Sequence, residues 1–595
     1  MKTILLVLSL LVSSLMFSQD DENQKLGDDY FKNGEFEKAL ITYQKLYDQN
    51  TNNSKFLFQL IKTHQQLEHY PIVENLLLEK LQRNNNPTYL IELGYNYQLM
   101  DSTALADKYY NEAIAKIDEN PSYAYMIAMQ FETRSLLDNA IATYKKASAL
   151  KPDLNFNIQL ARIYGELGDI ENMFSNYLDY IEIKPEFINN SKRAFSEFVS
   201  ENKDNENNLI LKKLLLKKIQ VQPDEYWYDL LSWLFNQEKE YDKAFTQEKA
   251  LYRRNPESLN RIVELAVTTL DDKQYETALE IFNYILENSQ DPDSILLANQ
   301  FILDIETTLA TEKNYPEIDK KYKAIFTKYG TYEQTTALQL AYGNFVAFYL
   351  KQPEEASNFL KETLKLNLSA FQEATIKLKL GDILVFQEKF NEALIYYTQI
   401  QANLKNSTIS QEARFKVAKT SYYKGDFDWA ESQLKILKSS TSQLIANDAL
   451  DLKLLISDNK YDDSLHVALK LYSKADLMAF QNKNEEAIAL LDKILTEHKG
   501  ESIEDQALLK QAQLFEKLKQ YEKAIVNYQM IIANYKDDIL ADDAYYSLAE
   551  LYNNVLLEPE KAKPLYERII FDHEDSIYFV EARKKFRMLR GDTIN

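Results

Sequence analysis

The stretch LGDDYFKNGEFEKALITY, residues 26–43, sets the reading of the whole chain. Leu26, Gly27 and Tyr30 precede a break at Gly34, and Phe36, Ala39 and Tyr43 follow it, each group at helical spacing. That is the pattern of two amphipathic helices joined by a tight turn. Gly27, with no Cβ, lets the second helix approach the first. Ala39 does the same from the other side, and the aromatic residues fill the space around the contact. The same marks return as Leu93-Gly94, Tyr97, Ala106 and Tyr110. They return again as Ile127-Ala128, Phe131, Ala140, Tyr144 and Pro152, then as Leu160-Ala161, Tyr164, Gly168, Tyr177 and Pro185. Successive small or turn-facing positions, Gly27, Ile61, Gly94, Ala128 and Ala161, stand 33 or 34 residues apart.

Pro152 and Pro185 stop the second helices, because proline cannot continue the hydrogen-bond ladder. Gly27, Gly94 and Gly381 take the packing position, and Gly34, Gly168 and Gly425 the turn. The copies continue through Tyr241, Ala244 and Pro256 and through Leu265-Ala266, Tyr275, Ala278 and Phe282, with one longer, degenerate copy between Pro185 and Pro223. From Ala356 the interval lengthens: Ala356, Ala393 and Ala430 are 37 apart, as are Ala487 and Ala524, and Ala562 follows after 38. Ala430 and Ala487 are separated by 57 residues, one repeat plus an extra helix, and residues 443–457 have the apolar spacing to form it. At the end, Phe579, Ala582, Phe586 and Leu589 make one stripe of a basic helix over 576–590, a polar-backed cap for an open stack.

These residues resemble the tetratricopeptide-repeat family, whose L-G-x-x-Y, A-x-x-x-F/Y, P pattern has this period. The resemblance implies an all-α fold: a right-handed superhelical solenoid of antiparallel helix pairs, with roughly 14–16 repeats. The expected layout is a signal peptide at 1–19, an amino-terminal superhelix over 20–300, divergent joining repeats at 301–355 and a carboxy-terminal superhelix over 356–590. The longer repeats resemble those of TolA-binding periplasmic proteins and outer-membrane assembly lipoproteins. The resemblance also implies that the first helix of each repeat lines a groove. Carried onto this chain, that groove consists of Phe31, Phe58, Ile91, Tyr95, Tyr125, Met129, Ile158 and Arg162. It is aromatic and apolar rather than lysine-rich, which suits an extended or helical protein segment. The competing role for these side chains is packing between adjacent helices.

Lys2, the apolar run from Ile4 to Val12 and then Ser13, Ser14 and Ser18 have a signal peptide's order, with cleavage expected near Ser18 or Gln19. The run is too short to span a bilayer. The chain has no cysteine, which excludes disulfides, thiolate metal sites and an acylated-cysteine anchor. A soluble periplasmic protein that is not a lipoprotein is expected. The 69 basic against 91 acidic residues give a net charge of −22, which disfavours duplex nucleic acid and anionic lipid as partners. Lys212, Lys213, Lys217 and Lys218 are expected on a solvated helix face.

No catalytic or cofactor motif is present: no H-E-x-x-H, G-x-S-x-G or phosphate loop. His64 and His69, five apart, are expected on different helix faces. Asp291-Pro-Asp293 reads as an inter-repeat turn rather than a calcium loop, and Gly591 within Arg590-Gly591-Asp592 as a helix stop. Ser102, Ser294, Ser464 and Ser576 sit in short sequences resembling an envelope O-glycosylation signal, and also read as turns. The expected protein is a non-catalytic protein-binding scaffold or adaptor of the bacterial periplasm, part of a cell-envelope assembly or secretion machine. Its partners are other proteins, envelope or secretion components, with peripheral membrane association only through a membrane-protein partner. The alternative is a soluble carrier holding a peptide, glycan or small molecule in the groove.

Overall fold

The computed structural model describes residues 22–437, 442–460 and 465–592. The signal-peptide reading and Ser464 lie outside them. Among the described residues there are thirty-two α-helices and no strand. They form fifteen successive helix pairs and two single helices, Gln443–Asn459 and Phe579–Arg590, in line with the repeat count read from the sequence. The chain makes two compact units, divided in sequence between Ile281 and Phe282. No described helix is long and apolar enough to cross a membrane.

The small residues stand where the period places them. A Cβ added at Gly94, in helix Pro87–Leu99, would lie 2.6 Å from the Tyr110 ring and 3.1 Å from the Ala106 carbonyl oxygen of the next helix, Thr103–Glu119. At Gly27 the Tyr43 ring is 2.8 Å away. The ring occupies the space that the absent side chain leaves, and its hydroxyl finds an acceptor nearby. Tyr110 donates to Gln98 Oε1 at 2.7 Å, Tyr43 to Asp28 Oδ1 at 2.6 Å and Tyr528 to Glu516 Oε1 at 2.5 Å. A buried tyrosine thereby closes the apolar contact without leaving its polar tip unpaired.

The turn inside each pair is equally regular. Gly34 and Gly168 have φ of +76° and +75°, but Glu68, Asp101 and Ser135, at the same register, also adopt φ of 55–58°. At Asp101 the amide of Ser102 reaches back to the Tyr97 carbonyl at 2.9 Å and that of Asp101 to Gln98 at 3.1 Å. This left-handed helix stop satisfies the last carbonyls and fixes the reversal of the chain. Side-chain-bearing residues there accept a local backbone cost for the sake of the fold.

The degenerate copy leaves no room for an inserted domain. After the short helix Ile188–Phe195, the chain to helix Glu206–Val221 is pinned by buried Asn208. Its amide donates to Ser200 O at 2.8 Å and its Oδ1 accepts from Ser200 N at 3.1 Å. Of the lysines of this helix, Lys213 and Lys217 are exposed as expected, whereas Lys212 and Lys218 are only partly so. Lys218 bonds Asp179 and Glu182, each at 2.6 Å, and Lys212 lies 2.9 Å from the buried Glu238 carboxylate.

In the second unit the extra helix is present, as Gln443–Asn459, two residues longer than its sequence pattern. It packs on helices Phe427–Leu437 and Thr408–Lys424. The following helix, Val467–Phe480, returns past it to Thr408–Lys424, where Lys419 bonds Asp476 at 2.6 Å. At its end Gln481 reaches the carbonyl of Phe386 at 3.0 Å, 95 positions back in the chain. Residues 301–355 share one continuous core with the repeats that follow them. The terminal helix begins at Phe579 rather than Ser576, because Ser576 Oγ accepts the Tyr578 amide in a turn. Ala582 is buried in one cluster with Ala549, Ala562, Tyr566 and Ile569, and Phe586 and Leu589 pack against that cluster, so the stripe does cap the stack.

Candidate functional site

The groove residues belong to the first helices of successive repeats in the first unit. In Pro87–Leu99 the carboxylate of Glu92 is fully buried. Arg134, just past helix Ala124–Thr133, answers it: Nε donates to Glu92 Oε1 at 2.8 Å and a terminal nitrogen pairs with the other oxygen. Gln130 adds a third donor at 2.5 Å. The same guanidinium lies over the Tyr95 ring, 4.6 Å from its centre, and fixes that ring's orientation. One repeat on, Glu132 pairs with Arg162 of helix Asn157–Glu166 and accepts the Tyr144 hydroxyl at 3.2 Å. Consecutive first helices are thus tied by carboxylate–guanidinium pairs that spend their charge on each other.

What these pairs leave exposed is apolar. Tyr125 and Met129, four residues apart on helix Ala124–Thr133 and therefore on one face, are each 53% exposed. Met126 and Tyr123 are exposed beside them. Sequence reasoning passed over these two, although the unbroken apolar run from Ala124 to Met129 marks a helix with more apolar surface than its packing needs. Arg162 is exposed but engaged with Glu132. Phe31, Phe58 and Ile158 are half-buried, Phe31 against Phe36 with Lys62 Nζ 4.9 Å above its ring, and Phe58 beside Tyr89. Ile91 is a correction. It is fully buried, because Pro87–Leu99 is covered on nearly every side, and it packs the interior instead of lining a groove.

The histidines are a second correction. The left-handed turn at Glu68 folds His69 back onto His64, and their Nδ1 atoms approach to 3.2 Å, with His64 buried and its pKa lowered by that burial. Among the described residues no three histidines or carboxylates are grouped to hold a metal ion. Gly591 does end the last helix, at φ +87°, and Arg590 Nε bonds Asp592 at 3.0 Å. Ser294 and Asp291 form a capping turn, Oγ to Oδ2 at 2.7 Å, and Ser102 and Ser576 also lie in turns before helices.

The corresponding helices of the second unit carry charge. Lys416 lies 3.0 Å from Asp382, and Lys419 and Lys510 each bond Asp476 at 2.6 Å. Beyond this ladder, Asp505 is buried beside Asp538 and Asp458, and burial first, then these carboxylates, push its pKa up to about 6. A folded pKa above the unfolded one means that folding takes up a proton, so stability falls as pH rises from about 4 to 6. Asp505→Asn should therefore stabilise the second unit at pH 7 by about 1–2 kcal/mol, with a higher urea midpoint, and change little below pH 4. Urea titrations at the two pH values check this, and equal effects at both would refute it.

Two segments match family models described as tetratricopeptide repeat: residues 154–187, containing helices Asn157–Glu166 and Ile170–Ile183, and residues 506–538, within and after Glu504–Lys517. One match falls in each unit. The chain thus carries tetratricopeptide repeats in both units. Tetratricopeptide-repeat proteins bind other proteins and are generally non-catalytic. No curated protein matches this one in sequence. Similar solved structures include yeast Tom70, at 16% identity over 82% of this chain and 98% of that one, with a TM-score of 0.29. Naa15/Naa10 bound to HypK-THB is similar at 11% identity over 97% and 94%, with a TM-score of 0.28. The Cut9–Hcn1 hetero-tetramer of the APC/C is similar at 13% over 96% of both chains, with a TM-score of 0.25.

Proposed function

We propose that this tetratricopeptide-repeat protein is a non-catalytic scaffold of the bacterial periplasm that holds protein components of an envelope assembly or secretion machine. The observation that carries the binding part is the exposed Tyr125–Met129 face, on helices whose charges are already paired. An aromatic and methionine surface of this kind adapts to an apolar helical or extended segment. The export part rests on the signal-like order of residues 1–19, and the envelope part on the resemblance of the 37-residue repeats to TolA-binding periplasmic proteins.

Tyr125→Ala with Met129→Ala should reduce capture of the partner from periplasmic extract at least tenfold, about 1.4 kcal/mol, while the far-ultraviolet circular dichroism and melting midpoint stay near wild type. An unchanged set of captured proteins would remove this face from the proposal. Export is tested separately, by fusing residues 1–25 to a phosphatase that is active only outside the cytoplasm. An inactive fusion retained in the cytoplasm would sink the periplasmic assignment.

A further inference from the structure

One repeat of the first unit carries a polar pair at a register that the others fill with small, aliphatic or aromatic side chains. Sixteen positions separate Gly27 from Tyr43, Gly94 from Tyr110 and Ala128 from Tyr144, and the second unit repeats the interval in Gly381 with Tyr397 and Ala512 with Tyr528. In the repeat made by helices Glu225–Gln237 and Tyr241–Arg254, the same two places hold Ser232 and Glu248. A hydroxyl stands where a small apolar residue belongs, and a carboxylate where the ring belongs. Ser232 Oγ donates to Glu248 Oε1 at 2.5 Å. Arg261, on the next helix Asn260–Asp271, donates to Glu248 Oε2 through Nε at 2.8 Å and also pairs with Asp229. Lys192 completes the network at 2.7 Å from Asp229.

Glu248 of this pair also faces an open cleft. A cleft of about 460 Å³ lies here, within the range of about 300–1,000 Å³ typical of small-molecule sites. Its border carries four carboxylates, Glu225, Asp229, Glu248 and Glu257, against Arg261, with Lys192 also paired to Asp229, while Leu251 and Ile262 give it an apolar wall. Arg261 is already held by Glu248 and Asp229, so an incoming anion would have to displace them, whereas an incoming cation meets the surplus of negative charge at the rim. The Tyr226 ring in the same lining offers a further face to a cation.

We propose that this cleft binds a primary ammonium group at the end of an aliphatic chain, either a free polyamine or a lysine side chain of a peptide. The stem lies along Leu251 and Ile262, and the ammonium lies between Glu225 and Glu257 and the Asp229–Glu248 network. None of these residues belongs to the Tyr125–Met129 face, so the two sites stand or fall independently.

Calorimetric titration of the full chain with spermidine, cadaverine and doubly blocked lysine tests the site. At least one ligand is expected to saturate below about 10 mM. Glu225→Gln with Glu257→Gln, both exposed changes, should weaken binding about tenfold. Ser232→Ala with Glu248→Tyr rebuilds the ordinary small-residue and tyrosine pair and should abolish binding while the melting midpoint is kept. Binding of the amines alone assigns a free polyamine, and binding of blocked lysine as well assigns a peptide. No binding by any of the three overturns the proposal, as does binding that the rim variant leaves unchanged. The rim variant decides the matter even if the rebuilt pair does not fold.

Discussion

Arg134→Ala should destabilise the first unit by about 3–5 kcal/mol, the scale of a broken buried ion pair. The Glu92 side chain is wholly buried and that of Arg134 is 9% exposed, so water cannot replace the guanidinium once it is gone. The carboxylate would keep only the Gln130 amide, and Tyr95 would lose the cation above its ring. Arg134→Lys should rescue little, because a single ammonium cannot serve both carboxylate oxygens through a planar fork or stack on the ring. Repeat arrays need not unfold in one step. The reading is therefore hydrogen exchange of helices Pro87–Leu99 and Ala124–Thr133 together with urea unfolding. If Arg134→Ala exchanges and unfolds like the wild type, the pair contributes nothing and this account of the face is wrong.

Asp476→Ala should destabilise the second unit by about 3 kcal/mol. Burial alone would raise the Asp476 pKa, but Lys419 and Lys510 on either side outweigh it and hold the carboxyl well below its usual range. Lys419 also lies 5.0 Å from the centre of the Tyr422 ring and 5.2 Å from that of Tyr423. One carboxylate thus joins helices Thr408–Lys424, Val467–Phe480 and Glu504–Lys517. A depressed folded pKa gives stability that is complete above the unfolded pKa, about 4, and is lost as pH falls below it toward the folded value. Asp476→Ala should accordingly cost most at pH 7 and progressively less below pH 4, the opposite of Asp505→Asn. A melting difference independent of pH between 7 and 3 would show that packing, not charge, holds this junction.

Much of this was legible in the sequence because it rests on short-range rules. The period, the small residue opposite a tyrosine and the extra helix over 443–457 all follow from spacing within about forty residues, and the helix pairs bear them out. The site was less legible. Ile91 carries the register of a groove residue, but Pro87–Leu99 is apolar almost all round, and no stripe then tells the covered face from the free one. The Glu92–Arg134 pair joins residues 42 apart whose types are common everywhere in this charged chain. His69 meets His64 because Glu68 turns left-handed, and glutamate gives no warning of that where glycine would. Glu248 was readable in principle: counting sixteen from Ser232 places a carboxylate where the register calls for a ring.

The return of helix Val467–Phe480 to Thr408–Lys424 bears on how this chain is made. Elsewhere, a repeat leaving the ribosome finds its partner among residues just finished, and assembly keeps pace with synthesis. Here Lys419 must wait for Asp476 across 57 residues, and Phe386 for Gln481 across 95. Closing such loops adds only a little entropic cost, about 0.6 kcal/mol per doubling of length, but contacts of larger sequence separation form more slowly. The order of translation and the order of packing part company at this junction, where helix Thr408–Lys424 is complete before the helix that pairs with its Lys419 has been made.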